Sequence, residues 1–141
     1  MAKDQKIALL KDVPLFWGCS DKELKTIAGI ADQVECPEGR VIMKEGSAGQ
    51  ELWVIAKGNV KISRNGRKVR SVGPGAAIGE LSLLDGGERS ATITTETPVT
   101  AYVIGQRNFT SLLHDAPSVA VKIMRGMASR LRTAEKTSAA N

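Results

Sequence analysis

Hydrophobic residues recur at helical spacing in the first part of the chain. The clearest apolar stripe, at positions i, i+3, i+4 and i+7, consists of Leu24, Ile27, Ala28 and Ala31. Ser20 precedes this stripe and Glu23 follows Ser20 by three residues, which is the spacing of a reciprocal capping box. A shorter helical pattern over residues 4–10 ends ahead of Pro14, which favours extended geometry at the residue before it. We predict a helical lead-in over residues 1–31.

From residue 32 to residue 105 the hydrophobic period changes to two, and turn residues recur. The predicted strands cover residues 33–36, 40–44, 51–57, 59–64, 67–72, 90–95 and 99–104. Asn65 and Gly66 predict a type I′ hairpin turn, because both central positions of that turn need a positive φ. Residues 51–57 are nearly all apolar, which is typical of a strand covered on both faces. Many short strands with regular turns predict an eight-stranded β-roll or jelly-roll barrel.

Two helices are predicted after the β-rich region. Residues 107–113 place apolar side chains on one side, and a longer helical pattern begins at Pro117 and runs towards Glu135. We therefore predict closing helices over residues 106–136 and a disordered polar tail over residues 137–141. The whole is one α+β domain, mainly β, over residues 1–136, with N-terminal helices and two C-terminal helices.

The last predicted helix carries an apolar stripe with two interpretations. Its members, at alternating spacings of four and three, are Ala120, Met124, Met127, Leu131 and Ala134. Such spacing is typical of a coiled-coil seam, and about two heptads of it would make a homodimer through this helix. The same stripe would equally serve to dock the helix on the barrel of its own chain. Both interpretations stay open at this stage.

Composition sets limits on the partners of the chain. Its 141 residues suffice for one domain with a real core. Lys and Arg number 20 against 15 acidic residues, a formal net charge of +5, spread between a hairpin and the last helix. We expect a solvated basic face and no nucleic-acid binding by this chain alone. The basic hairpin tip at residues 64–68 fits either a partner-docking site or a charged edge that prevents aggregation.

Other classes of site lack the residues they need. Cys19 and Cys36 form neither a disulfide framework nor a redox spacing, and His114 is the only histidine. The sequence has no signal-peptide pattern and no long apolar run. We therefore expect a cytoplasmic protein with no metal, no cofactor and no membrane segment. With no nucleophile beside a base in the sequence, we also expect that it is not an enzyme.

Residues 79–92 carry the most distinctive chemistry of the sequence. They predict a tight turn at Gly79, one short helical turn and a glycine-bearing loop that leads to a strand at Ser90. The start of a helix offers free N–H groups to an anion, and the planar guanidinium of Arg89 can donate hydrogen bonds to two phosphate oxygens. Glu80 would repel a phosphate, so we expect it to accept a hydrogen bond from a sugar hydroxyl. We interpret the segment as a pocket for a ribose cyclic phosphate; the alternative is a surface ion pair bracketing a loop.

This segment resembles the phosphate-binding cassette of the cyclic-nucleotide-binding domain family. The resemblance lies in the runs Gly79-Glu80-Leu81-Ser82-Leu83-Leu84 and Arg89-Ser90-Ala91-Thr92. The order of helices, strands and cassette is similar to the complete domain over residues 10–132. It is also similar to the sensor domain of bacterial catabolite-activator-type regulators and of cyclic-nucleotide-dependent kinases. Ile78 departs from the pattern, because many members carry an aromatic residue there.

The resemblance implies a role for each residue of the cassette. Glu80 would bind the ribose 2′-hydroxyl, and Arg89 would hold the cyclic phosphate together with the amides of Ser90 and Ala91. Gly79 would let the backbone approach the ligand. The full set of ligand-binding residues that we predict is Gly79, Glu80, Leu81, Ser82, Arg89, Ser90 and Ala91. In the family the last helix often supplies a cap over the base, and the candidates for that cap here are Arg132 and Glu135.

The resemblance also implies a regulatory function. We expect a sensor that binds cyclic AMP in preference to cyclic GMP, because binders of cyclic GMP more often carry Thr at the position of Ser90. The signal would pass through the C-terminal helices to a protein effector that the sequence does not identify, or to an effector domain outside it. The alternative is a relative that kept the fold, lost the ligand and serves as an interaction or dimerisation module.

Overall fold

The computed structural model describes the backbone of residues 2–140 and the side chains of residues 4–137. The helices are α1 (Ala2–Lys11), α2 (Asp21–Ala28), α3 (Glu80–Asp85), α4 (Gln106–Asp115) and α5 (Pro117–Ala140). The strands are β1 (Asp32–Cys36), β2 (Val41–Met43), β3 (Glu51–Lys57), β4 (Val60–Arg64), β5 (Arg67–Val72), β6 (Ala77–Ile78), β7 (Thr92–Thr95) and β8 (Val99–Gly105). A single 3₁₀ turn, Pro14–Phe16, joins the first two helices. The predicted fold class is confirmed.

The eight strands form two antiparallel four-stranded sheets. Their orders are β1-β8-β3-β6 and β2-β7-β4-β5, so each sheet combines strands from both ends of the β-rich region. The predicted hairpin turn between β4 and β5 is confirmed, with φ of 53° at Asn65 and 77° at Gly66. Strand β6 has two residues, too few for any hydrophobic alternation, and for this reason the sequence pattern did not delimit it.

Strand β3 separates the two hydrophobic cores of the molecule. Because side chains alternate across a strand, Leu52 and Val54 face the helices while Trp53 and Ile55 face the interior of the roll. Its five central residues are all buried, which confirms the prediction of a strand covered on both faces. The roll and the helical layer therefore share one rigid element, and β3 also carries the backbone carbonyl of Glu51 to the edge of the site described below.

The helices from the two ends of the chain pack together on the outside of β3. Phe16 from the 3₁₀ turn and Phe109 from α4 lie with their rings 6.2 Å apart in a tilted arrangement, a geometry that aromatic pairs favour. Val119 and Ile123 of α5 are buried in the same cluster. The start of α5 is thus fixed against the lead-in helices.

Helix α5 extends beyond its predicted end. It is helical as far as Ala140, whereas the sequence suggested a disordered tail from residue 137; Asn141 lies outside the described residues. Residues 137–140 contain neither Gly nor Pro, so nothing in their chemistry interrupts a helix. The Thr137 hydroxyl donates to the Thr133 carbonyl at 2.9 Å, a local bond that satisfies the polar side chain within the helix.

The capping box of α2 is confirmed and connects this helix to α5. The Ser20 hydroxyl accepts from the Glu23 amide at 3.2 Å, and the Glu23 carboxylate accepts from the Ser20 amide at 2.8 Å. Lys122 of α5 lies 3.5 Å from the same carboxylate. Hydrogen bonds from the hydroxyl of Ser118 and from Ser20 lower the pKa of Glu23 to about 2. Glu23 therefore joins the two ends of the chain in its ionised form.

We predict that Glu23→Gln lowers stability in a pH-dependent way. A folded pKa of about 2 lies below the unfolded value of about 4.3, so the charge stabilises the fold above about pH 4.3 and loses that effect as the pH falls towards 2. The amide preserves the capping hydrogen bond. Denaturant unfolding at about pH 6 and about pH 3 should show the deficit of the variant shrinking as the pH falls. Glu135→Gln, at an exposed site, is the control, and a deficit independent of pH would contradict the prediction.

Candidate ligand-binding site

A cavity of about 410 Å³ opens beside α3, between the cassette and strand β4. This volume lies in the range of roughly 300–1,000 Å³ that is usual for small-molecule sites. All seven predicted ligand-binding residues line it, namely Gly79, Glu80, Leu81, Ser82, Arg89, Ser90 and Ala91. The structure thus gathers around one cavity the two charged groups that the sequence separates by nine positions.

The guanidinium of Arg89 is buried at the cavity, with 8% of the residue exposed. Its Nη2 donates to the Glu51 carbonyl at 2.8 Å, while its Nη1 is buried without a hydrogen-bond partner in the described residues. Burial lowers the pKa of Arg89, and the Glu51 carboxylate counteracts that shift, but an arginine stays charged at neutral pH. An unsatisfied buried donor costs about 1–3 kcal/mol, more when charged. The site is therefore built to receive an acceptor, and best an anion.

Only glycine fits at position 79, beside the guanidinium of Arg89. Its φ of 81° is left-handed, which side chains rarely adopt. A Cβ built at Gly79 would collide with Nη1 of Arg89 and would lie 2.6 Å from the Glu51 carbonyl oxygen. The glycine therefore serves both the turn into α3 and the close approach of Arg89 to the backbone.

Backbone donors border the cavity next to Arg89. The amides of Ser90 and Ala91 donate to no acceptor within the described part of the chain, and both residues line the cavity. On the other side, the Arg89 amide donates to the Ser47 carbonyl at 2.7 Å and the Arg89 carbonyl accepts from the Gly46 amide at 2.9 Å. These bonds anchor the main chain so that a cation and two free amides share one small region.

Glu80 is held by two segments far from it in sequence. Its Oε2 accepts from the Leu15 amide at 2.9 Å and its Oε1 accepts from Nη2 of Arg130 at 3.2 Å. Glu80 was predicted to accept from a sugar hydroxyl, and in the structure the 3₁₀ turn and α5 hold both of its oxygens. An ionised carboxylate has about four acceptor sites, so a ligand hydroxyl would share this carboxylate with the Leu15 amide and Arg130.

Arg130 was not among the predicted site residues, although it contacts Glu80 in the structure. It continues the inward stripe of α5 formed by Ile123 and Met127, a charge in line with buried apolar positions, and that pattern was its only signal. The predicted base-cap residues Arg132 and Glu135 are exposed, and neither is among the residues that line the cavity. A capping role for them stays a prediction.

The remaining two cassette residues differ in their surroundings. Leu81 is 54% exposed at the cavity rim, so it offers apolar surface to a ligand. The Ser82 hydroxyl donates to the Gly87 carbonyl at 3.4 Å, and the Gly87 amide donates to the Asp85 carboxylate at 2.8 Å. These local bonds shape the loop after α3. The opposite wall is apolar and consists of Met43, Ile62, Ile78 and Ile93.

A larger hollow of about 750 Å³ lies on the far side of Arg89. Its lining combines Ile42, Met43 and Arg89 with residues of the β2–β3 loop and of the start of α4, most of which are exposed and polar. Gly79, Glu80, Ser90 and Ala91 do not line it, and the unpartnered Nη1 lies against Gly79. The smaller cavity is therefore the candidate site despite its size.

Comparison with known proteins decides the family. The sequence profile of the cyclic nucleotide-binding domain matches residues 33–116, which include the whole cavity lining of the cassette. This chain belongs to that family. The predicted resemblance is confirmed.

Relatives of this cyclic nucleotide-binding domain are regulatory proteins. The cyclic AMP receptor protein of Thermus thermophilus is 31% identical over 131 residues, which cover 89% of this chain and 61% of the relative. The N-terminal domain of a transcriptional regulator from Streptomyces coelicolor has a TM-score of 0.85 at 32% identity, covering 91% of this chain and 95% of the other. The regulatory domain of Toxoplasma gondii PKA, solved with cAMP, has a TM-score of 0.73 at 29% identity, covering 82% and 46%.

Among the described residues, no group of three or more His, Cys, Asp or Glu side chains is arranged to hold a metal ion. Among the same residues, no helix has both the length and the apolar character that crossing a membrane requires.

We predict that Gly79→Ala lowers the unfolding free energy by more than the unfavourable backbone angle alone explains. The added Cβ must displace Arg89, so we expect a loss of about 2–4 kcal/mol in unfolding free energy, of which about 1 kcal/mol is conformational. Gly39→Ala is the matched control, because Gly39 has the same φ of 81° and nothing within 4 Å of the added Cβ. Equal losses in denaturant unfolding of the two variants would show that Arg89 does not press on Gly79.

Proposed function

We propose that this chain binds a 3′,5′-cyclic nucleotide in the cavity beside α3 and acts as a regulatory sensor, not as an enzyme. The observation that carries the proposal is the buried, unpartnered Nη1 of Arg89 against Gly79. A cyclic phosphate supplies the acceptor that this group lacks and a single negative charge that fits a single buried cation. The regulatory relatives support the second half of the proposal.

The phosphate and the ribose occupy opposite ends of the charged region in this proposal. Arg89 and the free amides of Ser90 and Ala91 hold the phosphate oxygens, since charge-assisted hydrogen bonds are about twice as strong as neutral ones. Glu80 accepts from the ribose 2′-hydroxyl and is kept away from the phosphate by its bonds to Leu15 and Arg130. The apolar wall of the cavity receives the remaining surface of the sugar and base.

Cyclic AMP is the ligand that we propose in preference to cyclic GMP. The Thermus relative is named a cyclic AMP receptor, and the Toxoplasma regulatory domain was solved with cAMP. Ser90 is the cassette position at which the sequence favours this choice. Ile62 and Ile93, which also line the cavity, form no hydrogen bond that would select the guanine edge.

The signal passes, in this proposal, from Glu80 to α5 through Arg130. Glu80 is bonded at once to the 3₁₀ turn and to α5, so a ligand hydroxyl that donates to Glu80 weakens its bonds to both. A ligand shifts an equilibrium only through a difference in its affinity for two states. Competition between a sugar hydroxyl and Arg130 for one carboxylate supplies such a difference.

A dimer through α5 is a second element of the proposal, because part of the predicted seam is free. Met124 and Leu131 are 61% and 63% exposed, whereas Met127 packs against the chain's own core. One part of the predicted stripe therefore packs on the chain's own core, and the other part faces solvent. An exposed apolar row on a long helix favours a protein partner, and a second copy of α5 is the partner that we propose.

We predict that Arg89→Ala lowers affinity for cyclic AMP at least about 10-fold, since charged hydrogen bonds contribute roughly 1.5–3 kcal/mol. The measurement is thermal unfolding and titration calorimetry with cyclic AMP and cyclic GMP. The unchanged chain at about 100 times Kd should gain about 2.7 kcal/mol. Arg67→Ala, at the exposed hairpin tip, is the control. If Arg89→Ala binds as tightly as the unchanged chain, the assignment of the cavity is wrong.

We predict that Arg130→Gln uncouples α5 from the ligand. Without the bond to Glu80, amides near residue 130 should exchange faster in the free protein, and cyclic AMP should change their exchange less than in the unchanged chain. Affinity should stay equal or rise, because Glu80 loses a competing donor. Arg125→Gln, at an exposed position of the same helix, should behave as the unchanged chain. A ligand-dependent exchange pattern that survives in Arg130→Gln would contradict the proposed route.

A further inference from the structure

Strand β4 places a second arginine at the cavity. Side chains at alternate positions share one face of a strand, and Val60 and Ile62 on that face pack into the interior of the roll. The pairing of β4 with β7 is regular as far as Ser63, so the alternation carries Arg64 to the same inward face. Both Ile62 and Arg64 line the cavity beside α3. Arg64 thus ends an apolar row at the mouth of the site and does not belong to the outer face of the hairpin.

The guanidinium of Arg64 is bonded to the phosphate-binding part of the cassette. Its Nε donates to the Ser90 carbonyl at 3.2 Å, and the Ser90 and Ala91 amides are the free donors of the site. This bond orients the planar group beside those amides. In the described part of the chain, no acceptor is bonded to its two terminal nitrogens and no carboxylate forms an ion pair with it. Two N–H-bearing groups therefore remain for an anion in the cavity.

The acidic residues at the cavity do not neutralise this cation. Three acidic residues line the cavity, Glu80, Asp85 and Glu88. Glu80 pairs with Arg130, and the Asp85 carboxylate accepts from the Gly87 amide at 2.8 Å. Among the described residues, neither Asp85 nor Glu88 forms an ion pair with Arg64. Elsewhere on the hairpin, Lys68 pairs with Glu96, and Arg67 lies beyond the turn and does not line the cavity. Its inward position and its bond to Ser90 distinguish Arg64 from Arg67, and its lack of a carboxylate partner among the described residues distinguishes it from Lys68.

We propose that Arg64 is a second phosphate-binding residue, which contacts the phosphate of the ligand at the cavity mouth, in addition to the buried Arg89. This inference rests on the proposed function and deepens it, because it gives the phosphate two cationic contacts, one buried and one exposed. The exposed contact is screened by salt, whereas the buried one is screened much less. Arg64 therefore makes part of the affinity depend on ionic strength, and it selects a ligand whose anionic group lies beside Ser90.

The test compares Arg64→Gln, Arg64→Lys and the matched control Arg67→Gln with the unchanged chain. Titration calorimetry gives Kd for cyclic AMP and for cyclic GMP at low and at moderate salt. We expect Arg64→Gln to weaken both ligands by the same factor of roughly 3–10 at low salt, with a smaller factor at higher salt. Arg64→Lys should recover part of the affinity, and Arg67→Gln, with the same change in net charge, should match the unchanged chain. Unfolding without ligand should be nearly unaffected, since Arg64 is exposed.

Four other results would contradict the proposed function, the role of Arg64 or both. If the unchanged chain binds neither nucleotide, the proposed function and this inference both fall. If it binds and Arg64→Gln binds equally well, only the role of Arg64 falls. A loss for one nucleotide alone would assign Arg64 to the base, against a phosphate contact. If Arg67→Gln loses as much affinity as Arg64→Gln, the positive charge of the hairpin as a whole explains the effect, and a specific contact of Arg64 with the phosphate does not.

Discussion

The burial of the Arg89 guanidinium is the constraint on which the site depends. A cation held at 8% exposure must be placed by the backbone, because a long side chain loses its freedom there only when its surroundings fix it. The Glu51 carbonyl of β3 takes one of its nitrogens, and the absence of a side chain at Gly79 makes room for the other. Alternate residues of β3 are buried in two hydrophobic cores. The packing of both cores therefore fixes the position of the Glu51 carbonyl and, through it, of the Arg89 guanidinium.

Glu80 connects the helical layer to the roll. It stands one residue after Gly79, and its two oxygens connect to the 3₁₀ turn near the N-terminus and to α5 near the C-terminus. The contact with α5 is long-range in sequence and partly exposed, and such ion pairs contribute only about 0–1 kcal/mol. A weak bond suits a coupling element, since a ligand needs to offset only a small free energy to alter it. In the proposed function, Arg89 therefore provides affinity, and Glu80 connects the ligand to α5.

The fold and the cassette could be predicted from sequence because their signals are local. The capping box of Ser20 and Glu23, the Asn65-Gly66 turn and the alternation of the strands all depend on neighbouring residues. The seven cassette residues are nearly contiguous, so their gathering at one cavity follows from a turn and a short helix. The extent of α5 was underestimated, because polar residues without a breaker are compatible with either state. Arg130 could not be paired with Glu80 in advance, since the path of α5 across the roll depends on packing between Val119, Ile123 and the lead-in helices.

A shared pattern links the three arginines at or near the cavity. Arg64 ends an inward row of β4, Arg130 ends the inward stripe of α5, and Arg89 is buried at the edge of the roll. For Arg64 and Arg130, a charge occupies a position where the period of the strand or helix predicts an apolar residue, whereas Arg89 lies in the loop between α3 and β7. A charge on an inward face is unfavourable unless a partner offsets its desolvation. Arg130 has Glu80 as that partner, whereas Arg64 and Arg89 retain free donors directed towards the same cavity. A bound anion would offset the desolvation of the buried Arg89 and would also accept from the exposed Arg64. The position of a charge in the fold is therefore a better guide to the site than the number of basic residues.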